Sequence, residues 1–130
     1  MGDDVNYDFS SLRVLYVEDI SGFREMMKSI FESVNISNFD IVDNGIEAIG
    51  YCYKNKYDLI IMDCELPYMN GGEAACIIKE NLEVDSPICI CSASENINNS
   101  NFSKQCYDYT IPKPFSLNDI TRLLKENSFH

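Results

Sequence analysis

Residues 57–66 read YDLIIMDCEL. Five of the six residues from Tyr57 to Met62 are apolar, and the run meets two carboxylates, Asp63 and Glu65, with Cys64 between them. A short run rich in Ile and Leu reads as a buried strand. An acid at the end of such a strand has two explanations. Either the chain is reaching water, or the strand exists to hold the carboxylate in place. Residues elsewhere in the chain decide between them.

Outward from this strand the periodicity alternates. LRVLYV (12–17) is another short apolar run, closed by Glu18 and Asp19. Phe23, Met26, Met27, Ile30, Phe31 and Val34 then recur at helical spacing and predict an amphipathic helix. FDIV (39–42) reads as a strand, Asp43-Asn44-Gly45 as a turn, and Ile46, Ile49 and Tyr53 as a second helical stripe. Beyond Glu65, residues 66–72 form a loop by their Pro, Asn and Gly content, and Ala75, Ile78 and Leu82 mark a third helix. ICIC (88–91) and YDYTI (107–111) read as the fourth and fifth strands. Between them lies SENINNSNFSKQ (94–105), Asn-rich and almost without an apolar stripe, so any helix there is expected to be the most mobile. Ser116 caps a final helix carrying Leu117, Ile120, Leu123 and Leu124. Five strands alternating with five helices predict an α/β domain, a parallel sheet with helices on both faces.

The bulk composition narrows the function. With 130 residues, 45% hydrophobic and 24% charged, the chain has the size and composition of one globular domain. We place that domain at residues 11–128, after a short acidic tail over 1–10. The formal net charge of −11 and the absence of any Lys/Arg run argue against nucleic acid as a partner. No apolar run reaches membrane-spanning length and no signal-peptide pattern opens the chain, so no membrane insertion is expected. Six cysteines (52, 64, 76, 89, 91, 106) include no CxxC, and the sole histidine is His130, so a zinc site is not expected. Free thiols buried as small hydrophobes, in a reducing cytoplasm, are the expectation.

In an open parallel sheet all strand carboxyl ends share one edge, and ligands bind outside it. That edge collects Glu18 and Asp19 from the first strand, Asp63 from the third, Ser92 from the fourth and Lys113 after the fifth. Singly, each is explained by a wetted strand end. Together, three carboxylates in one place repel unless a cation sits among them. Oxygen ligands without histidine or thiolate indicate Mg²⁺. A carboxylate beside Mg²⁺ can accept a phosphoryl group, with metal and lysine neutralising the transferring oxygens. A serine hydroxyl can hydrogen-bond a phosphoryl oxygen.

The motifs VED (17–19), IIMDCELPYMNG (60–71), CSAS (91–94) and KPF (113–115), in this order, resemble the receiver domain of two-component response regulators, the CheY-like superfamily. The resemblance covers about Leu12 to Asn127 and implies a flavodoxin-like doubly wound (βα)5 fold with strand order 2-1-3-4-5. It implies Asp63 as phosphoacceptor, Asp19 as a direct Mg²⁺ ligand, Glu18 acting mainly through water, and the Glu65 backbone carbonyl as a further ligand. Ser92 would contact the phosphoryl group and shift on activation, Lys113 would pair with it, and Lys113-Pro114 would be cis. Glu65 and Ser94 occupy positions that tune phosphate lifetime in the family. The phosphodonor would be a histidine kinase or a histidine phosphotransfer protein, and the switching face would lie near the fourth helix, fifth strand and fifth helix. Such a domain catalyses only its own phosphorylation and slow dephosphorylation. One position departs: Thr110 stands three before Lys113, where the family usually has Tyr or Phe, and Tyr109, one place earlier, would face the opposite side of the strand unless a bulge shifts it.

Two alternatives are weighed against this. Asp63-Cys64-Glu65 superficially resembles the Asp-x-Asp of haloacid-dehalogenase-type phosphatases, but those carry the motif near the chain start and use Asp as the second acid. A receiver-fold binding module that is never phosphorylated is the other; such modules usually lack one of Glu18, Asp19, Asp63, Ser92 or Lys113, and here all five are present.

Overall fold

The computed structural model describes residues 8–93 and 105–127. Strands β1 (Arg13–Val17), β2 (Asn38–Val42), β3 (Leu59–Asp63), β4 (Ile88–Ser92) and β5 (Tyr109–Pro112) pair in parallel in the order β2-β1-β3-β4-β5. This is the flavodoxin-like order, whose direction of winding reverses between β1 and β3. The connecting helices are α1 (Ser21–Ser33), α2 (Gly45–Lys54) and α3 (Gly71–Cys76), the last running on as a π-helical turn over Ile77–Asn81, and α4 (Leu117–Glu126) closes the domain. The expected helix over 94–105 lies, except for Gln105, outside the described residues.

Strand alternation sorts the core into two layers. Val14, Tyr16, Leu59, Ile61, Cys89 and Cys91 pack with Met27, Ile30 and Phe31 of α1 and Ile120, Leu123 and Leu124 of α4. Leu15, Val17, Ile60, Met62, Ile88 and Ile90 pack with Ala48 and Cys52 of α2 and Ala74, Ala75 and Ile78 of α3. Both faces of the central strands are therefore covered, which is why they read as continuous apolar runs rather than alternating ones. Phe9, inside the expected tail, is fully buried in the first layer.

Local chemistry sets the helix starts. Asn44 accepts from the Glu47 N–H (2.9 Å), Asn70 from the Glu73 N–H (2.8 Å), and Ser116 forms a capping box with Asp119. At the end of α1, Asn35 takes a left-handed conformation (φ 64°) while the Ile36 N–H reaches back to the Phe31 carbonyl.

Several expectations are corrected. The α2 face turned to the core is Gly45, Ala48 and Cys52, with Ile49 half-buried, whereas Ile46 and Tyr53 are 55% and 78% exposed. Small residues win here because the helix lies close to its neighbours: a Cβ on Gly45 would come within 2.9 Å of Met69 and 3.1 Å of Ala74. Met26 and Leu117, read as core positions, are exposed. Strand β5 begins at Tyr109 rather than 107, because the Asp108 carboxylate takes the Ile88 N–H (2.8 Å) and supplies by side chain what a strand carbonyl would otherwise give. The expectation of six free thiols fails for one pair: Cys76 and Cys106 form a disulfide. The fold brings the end of α3 beside the entry to β5, a juxtaposition across 30 residues that no local spacing announces.

Candidate functional site

The strand ends are pinned before any side chain is considered. Beyond each strand one more backbone bond extends the ladder: Glu18 N–H to Val42 O (2.9 Å), Cys64 N–H to Cys91 O (2.8 Å) and Lys113 N–H to Ser92 O (3.1 Å). The residues bearing the polar groups are thus fixed relative to one another by the sheet itself. Close approach also matters at Gly71, whose N–H bonds Cys64 O (2.8 Å) and where any Cβ would overlap the Asp63 carbonyl. The intervening loop makes a tight turn in which the Met69 N–H bonds Pro67 O and Tyr68 sits at φ 75°.

On this frame Glu18, Asp63 and Lys113 form a buried ionic triad. Lys113 Nζ lies 2.9 Å from Glu18 Oε1 and 3.0 Å from Asp63 Oδ2, and donates also to Glu18 Oε2 (3.1 Å). The three side chains are only 8%, 0% and 4% exposed for Lys113, Glu18 and Asp63. Glu18 is held further by the Tyr16 hydroxyl (3.1 Å to Oε1) and the Ile20 N–H (3.1 Å to Oε2), while Arg24 donates to its carbonyl (3.0 Å). The Glu18 carboxylate is thus engaged by three protein donors. Asp19 is exposed at the mouth, and one oxygen from each of Glu18, Asp19 and Asp63 falls within a 4.8 Å cluster. The Lys113-Pro114 peptide is cis, as expected.

The electrostatics are unbalanced. Three carboxylates face one ammonium, so the pocket carries two net negative charges when all are ionised. Burial first, and the Glu18 charge next among the terms raising it, push the Asp63 pKa up to about 6, although Lys113 and the Glu65 backbone N–H pull against them. Burial alone would lower the Lys113 pKa, but its hydrogen bonds to Glu18 and Asp63 outweigh that and raise it. Burial and then the Glu18 charge raise Tyr16, so its hydroxyl stays a donor. A divalent cation with a preference for oxygen fits this donor set and its charge deficit.

Asp19, Ile20, Phe23, Asp63, Glu65 and Lys113 line an open cleft of about 520 Å³ above the triad. A larger hollow of about 820 Å³ opens beside Lys28, Glu32 and Asn35, but it gathers no buried charge, so the smaller cleft is the functional candidate. Ser92 is half-buried at the end of β4 and shares a side-chain hydrogen bond with Cys64, the residue after Asp63. The Glu65 side chain is exposed; its backbone N–H is what engages Asp63. Ser94 lies outside the described residues. The β4–β5 register is regular, pairing Cys89 with Tyr109 and Ile90 with Thr110, so no bulge moves Tyr109 into the place of Thr110. Tyr109 packs with the α1/α4 layer and Thr110 is exposed.

Sequence reasoning missed the support of this site. Tyr16 precedes Glu18 by two residues and so shares its strand face, a signal that period-two reading could have used. Phe23 carries Lys113 Nζ 4.3 Å from its ring centre and packs on Phe115, which also meets Tyr16 edge-on. Those contacts depend on how α1 and the turn after β5 approach each other.

Fold and site together define a doubly wound α/β protein with an acidic pocket at the β1/β3 switch point. The family model described as the response regulator receiver domain matches residues 14–125, and the chain belongs to that family. It is 31% identical over 121 residues to the autoinducer 2 sensor kinase/phosphatase LuxQ of Vibrio parahaemolyticus, covering 92% of this chain and 13% of that protein. It is 28% identical over 123 residues to the two-component response regulator 24 of Arabidopsis thaliana, covering 93% and 87%. Among solved structures, the receiver domain of sensor histidine kinase PA1611 from Pseudomonas aeruginosa, with magnesium in its active-site cleft, superposes with a TM-score of 0.75 at 26% identity, covering 88% and 95%. The chain spans about 13% of the length of the LuxQ kinases it matches. It is a receiver domain of two-component signalling, and the phosphatase alternative falls with that membership.

Proposed function

We propose that Asp63 is the phosphoacceptor and that it takes its phosphoryl group from a phosphohistidine on a histidine kinase or histidine phosphotransfer protein. The observation that carries this is the buried Glu18–Lys113–Asp63 triad, opening at Asp19 to a cleft with two uncompensated negative charges. Asp19 and Asp63 directly, Glu18 through water, and the Glu65 backbone carbonyl would hold Mg²⁺. When bound, the ion supplies positive charge to the transferring oxygens. Asp63 supplies the attacking oxygen: the new O–P bond forms as the donor's N–P bond breaks, and the imidazole leaves. Lys113, already ion-paired with Asp63, would shift that ion pair to a phosphoryl oxygen. Ser92 would exchange its bond with Cys64 for one to that oxygen.

The sequence places of Glu65 and Ser94 support a role in phosphate lifetime. Ile20, exposed and lining the cleft, fits a protein phosphodonor's docking surface. We keep the receiver unit at 11–128 after the short acidic tail 1–10, of which Phe9 packs into the core. A cytoplasmic location suits a domain fed by kinase phosphohistidine, and among the described residues no helix is long and apolar enough to cross a membrane. With Thr110 at the family's aromatic position, coupling between Ser92 and β5 is expected to differ from the usual hydroxyl-to-aromatic pair.

Acetyl phosphate with Mg²⁺ tests the assignment. The protein should gain one acid-stable, base-labile phosphoryl group, and Asp63→Asn should gain none. No adduct at saturating Mg²⁺ would overturn it in favour of a binding module.

A further inference from the structure

The Cys76–Cys106 pair lies outside the acidic cleft and plays no part in phosphoryl transfer. Both residues are half-buried, whereas Cys52, Cys89 and Cys91 are buried, and their Cα atoms are 4.9 Å apart, within disulfide range. The same two elements are joined a second time. Lys79 Nζ donates to Asp108 Oδ2 at 3.0 Å, and that oxygen also accepts the Ile88 N–H at 2.8 Å, while the Asp108 N–H returns to Ile88 O at 2.8 Å. These bonds do not involve sulfur, so they keep the end of α3 against the entry to β5 whether the thiols are joined or open. The dithiol is therefore preorganised to close, and the disulfide can open without separating the elements.

The position of the link gives it a consequence. Gly71, at the start of α3, bonds Cys64 beside Asp63; Cys76 ends the same helix; Cys106 leads into β5, which ends at Lys113 on Asp63. Closing the disulfide completes a ring from acceptor to lysine, and encloses β4 with Ser92 and the segment up to Gln105. The π-helical turn over Ile77–Asn81 follows Cys76 directly and lies within that ring.

We propose that Cys76 and Cys106 are a reversible oxidation site that clasps α3 to β5 and restrains Ile77–Ser92. The co-reactant is a low-molecular-weight disulfide of the glutathione type. One protein thiolate attacks it, forming a mixed disulfide and releasing one small thiolate, which takes up the proton the protein thiol gave up. The second protein thiol, losing its proton in turn, attacks the protein sulfur of the mixed disulfide and releases the other small thiol. Two protein S–H bonds become one S–S bond, and the small disulfide is reduced to two thiols. A carboxylate oxygen of Glu80 lies within 4.8 Å of both sulfurs. The site stands whether or not Asp63 is phosphorylated.

The test equilibrates the full chain in glutathione buffers of stepped ratio, alkylates it and maps the peptides without reduction. Oxidised protein should carry four alkylatable thiols and one link between Cys76 and Cys106, reversed by dithiothreitol to six. Amide hydrogen exchange over 77–92 and 105–112 should slow on oxidation, and the unfolding equilibrium should shift by about 500-fold for a ring of this size. Cys76→Ser and Cys106→Ser should each abolish both changes, while Cys64→Ser should keep them. Six thiols in every buffer, a link between other cysteines, or identical exchange in the two forms would overturn the proposal. So would protection of these two thiols from alkylation by equimolar Zn²⁺ in the reduced chain, which would make the pair a metal site.

Discussion

The cleft above Asp63 and the junction between α3 and β5 hold their charges in opposite ways. In the cleft, two buried carboxylates share one ammonium and a third carboxylate stands at the mouth; burial first, then the Glu18 charge, drive Asp63 up to a pKa of about 6. At the junction, Lys79 meets Asp108, which also takes a backbone N–H, and a covalent link lies alongside. The first arrangement is unfavourable until something positive arrives; the second is complete as it stands. Four buried residues of β3, Leu59 to Met62, each contribute about 1.5–3 kcal/mol of hydrophobic stabilisation. That exceeds the ~3 kcal/mol that ionising Asp63 costs if its pKa is raised to this extent. The apolar strand is what makes a carboxylate with a raised pKa tolerable, and the difference between the two regions separates a pocket with a charge deficit from a junction whose charges are already paired.

Removing the cation from the cleft should have the largest effect. Lys113→Ala leaves Glu18 and Asp63 buried and facing each other, and should lose about 3–5 kcal/mol in urea unfolding at pH 7.5 without metal. Saturating Mg²⁺ should restore part of it; a neutral outcome would show that the triad is not electrostatically coupled. Asp63→Asn should do the reverse, raising metal-free stability by about 2–3 kcal/mol at pH 7.5 while abolishing phosphorylation. The sign follows from the raised pKa. A carboxyl that binds its proton more tightly folded than unfolded adds stability below the unfolded value of 3.8, and that stability is lost as pH rises through about 6. The gain from Asp63→Asn should therefore shrink towards pH 4, and a gain independent of pH would break the comparison.

Smaller effects sharpen it. Asp108→Ala should lose about 1–2 kcal/mol, from a half-exposed ion pair and one backbone bond, with phosphorylation by acetyl phosphate unchanged. Tyr16→Phe should lose about 1 kcal/mol and also weaken Mg²⁺ binding in a calorimetric titration, because Glu18 then lacks one of its anchors. If Mg²⁺ affinity is unmoved, Tyr16 supports the core and not the site.

Much of the cleft was legible before the fold. Glu18, Asp19, Asp63, Ser92 and Lys113 are read from strand ends, and the parallel-sheet rule puts such ends on one edge without knowledge of packing. Legibility stopped where distance between elements mattered. In α2 the larger apolar side chains Ile46 and Tyr53 outweigh Gly45, Ala48 and Cys52 by hydrophobicity alone, yet close packing against α3 selects the small ones. The π-helical turn after Cys76 likewise has no sequence period of its own.

The sequence by itself determined the alternation of strands and helices, the buried post of β3 and the chemistry of its carboxyl edge, because period and chain order are local properties. Only the tertiary structure decided that Tyr16 and Phe23 support Glu18 and Lys113, that Tyr109 stays on the face opposite Thr110, and that Cys76 meets Cys106. Each of these depends on how closely two elements distant in the chain approach. That distance is set by the summed packing of side chains between them, and no single stretch of sequence carries it.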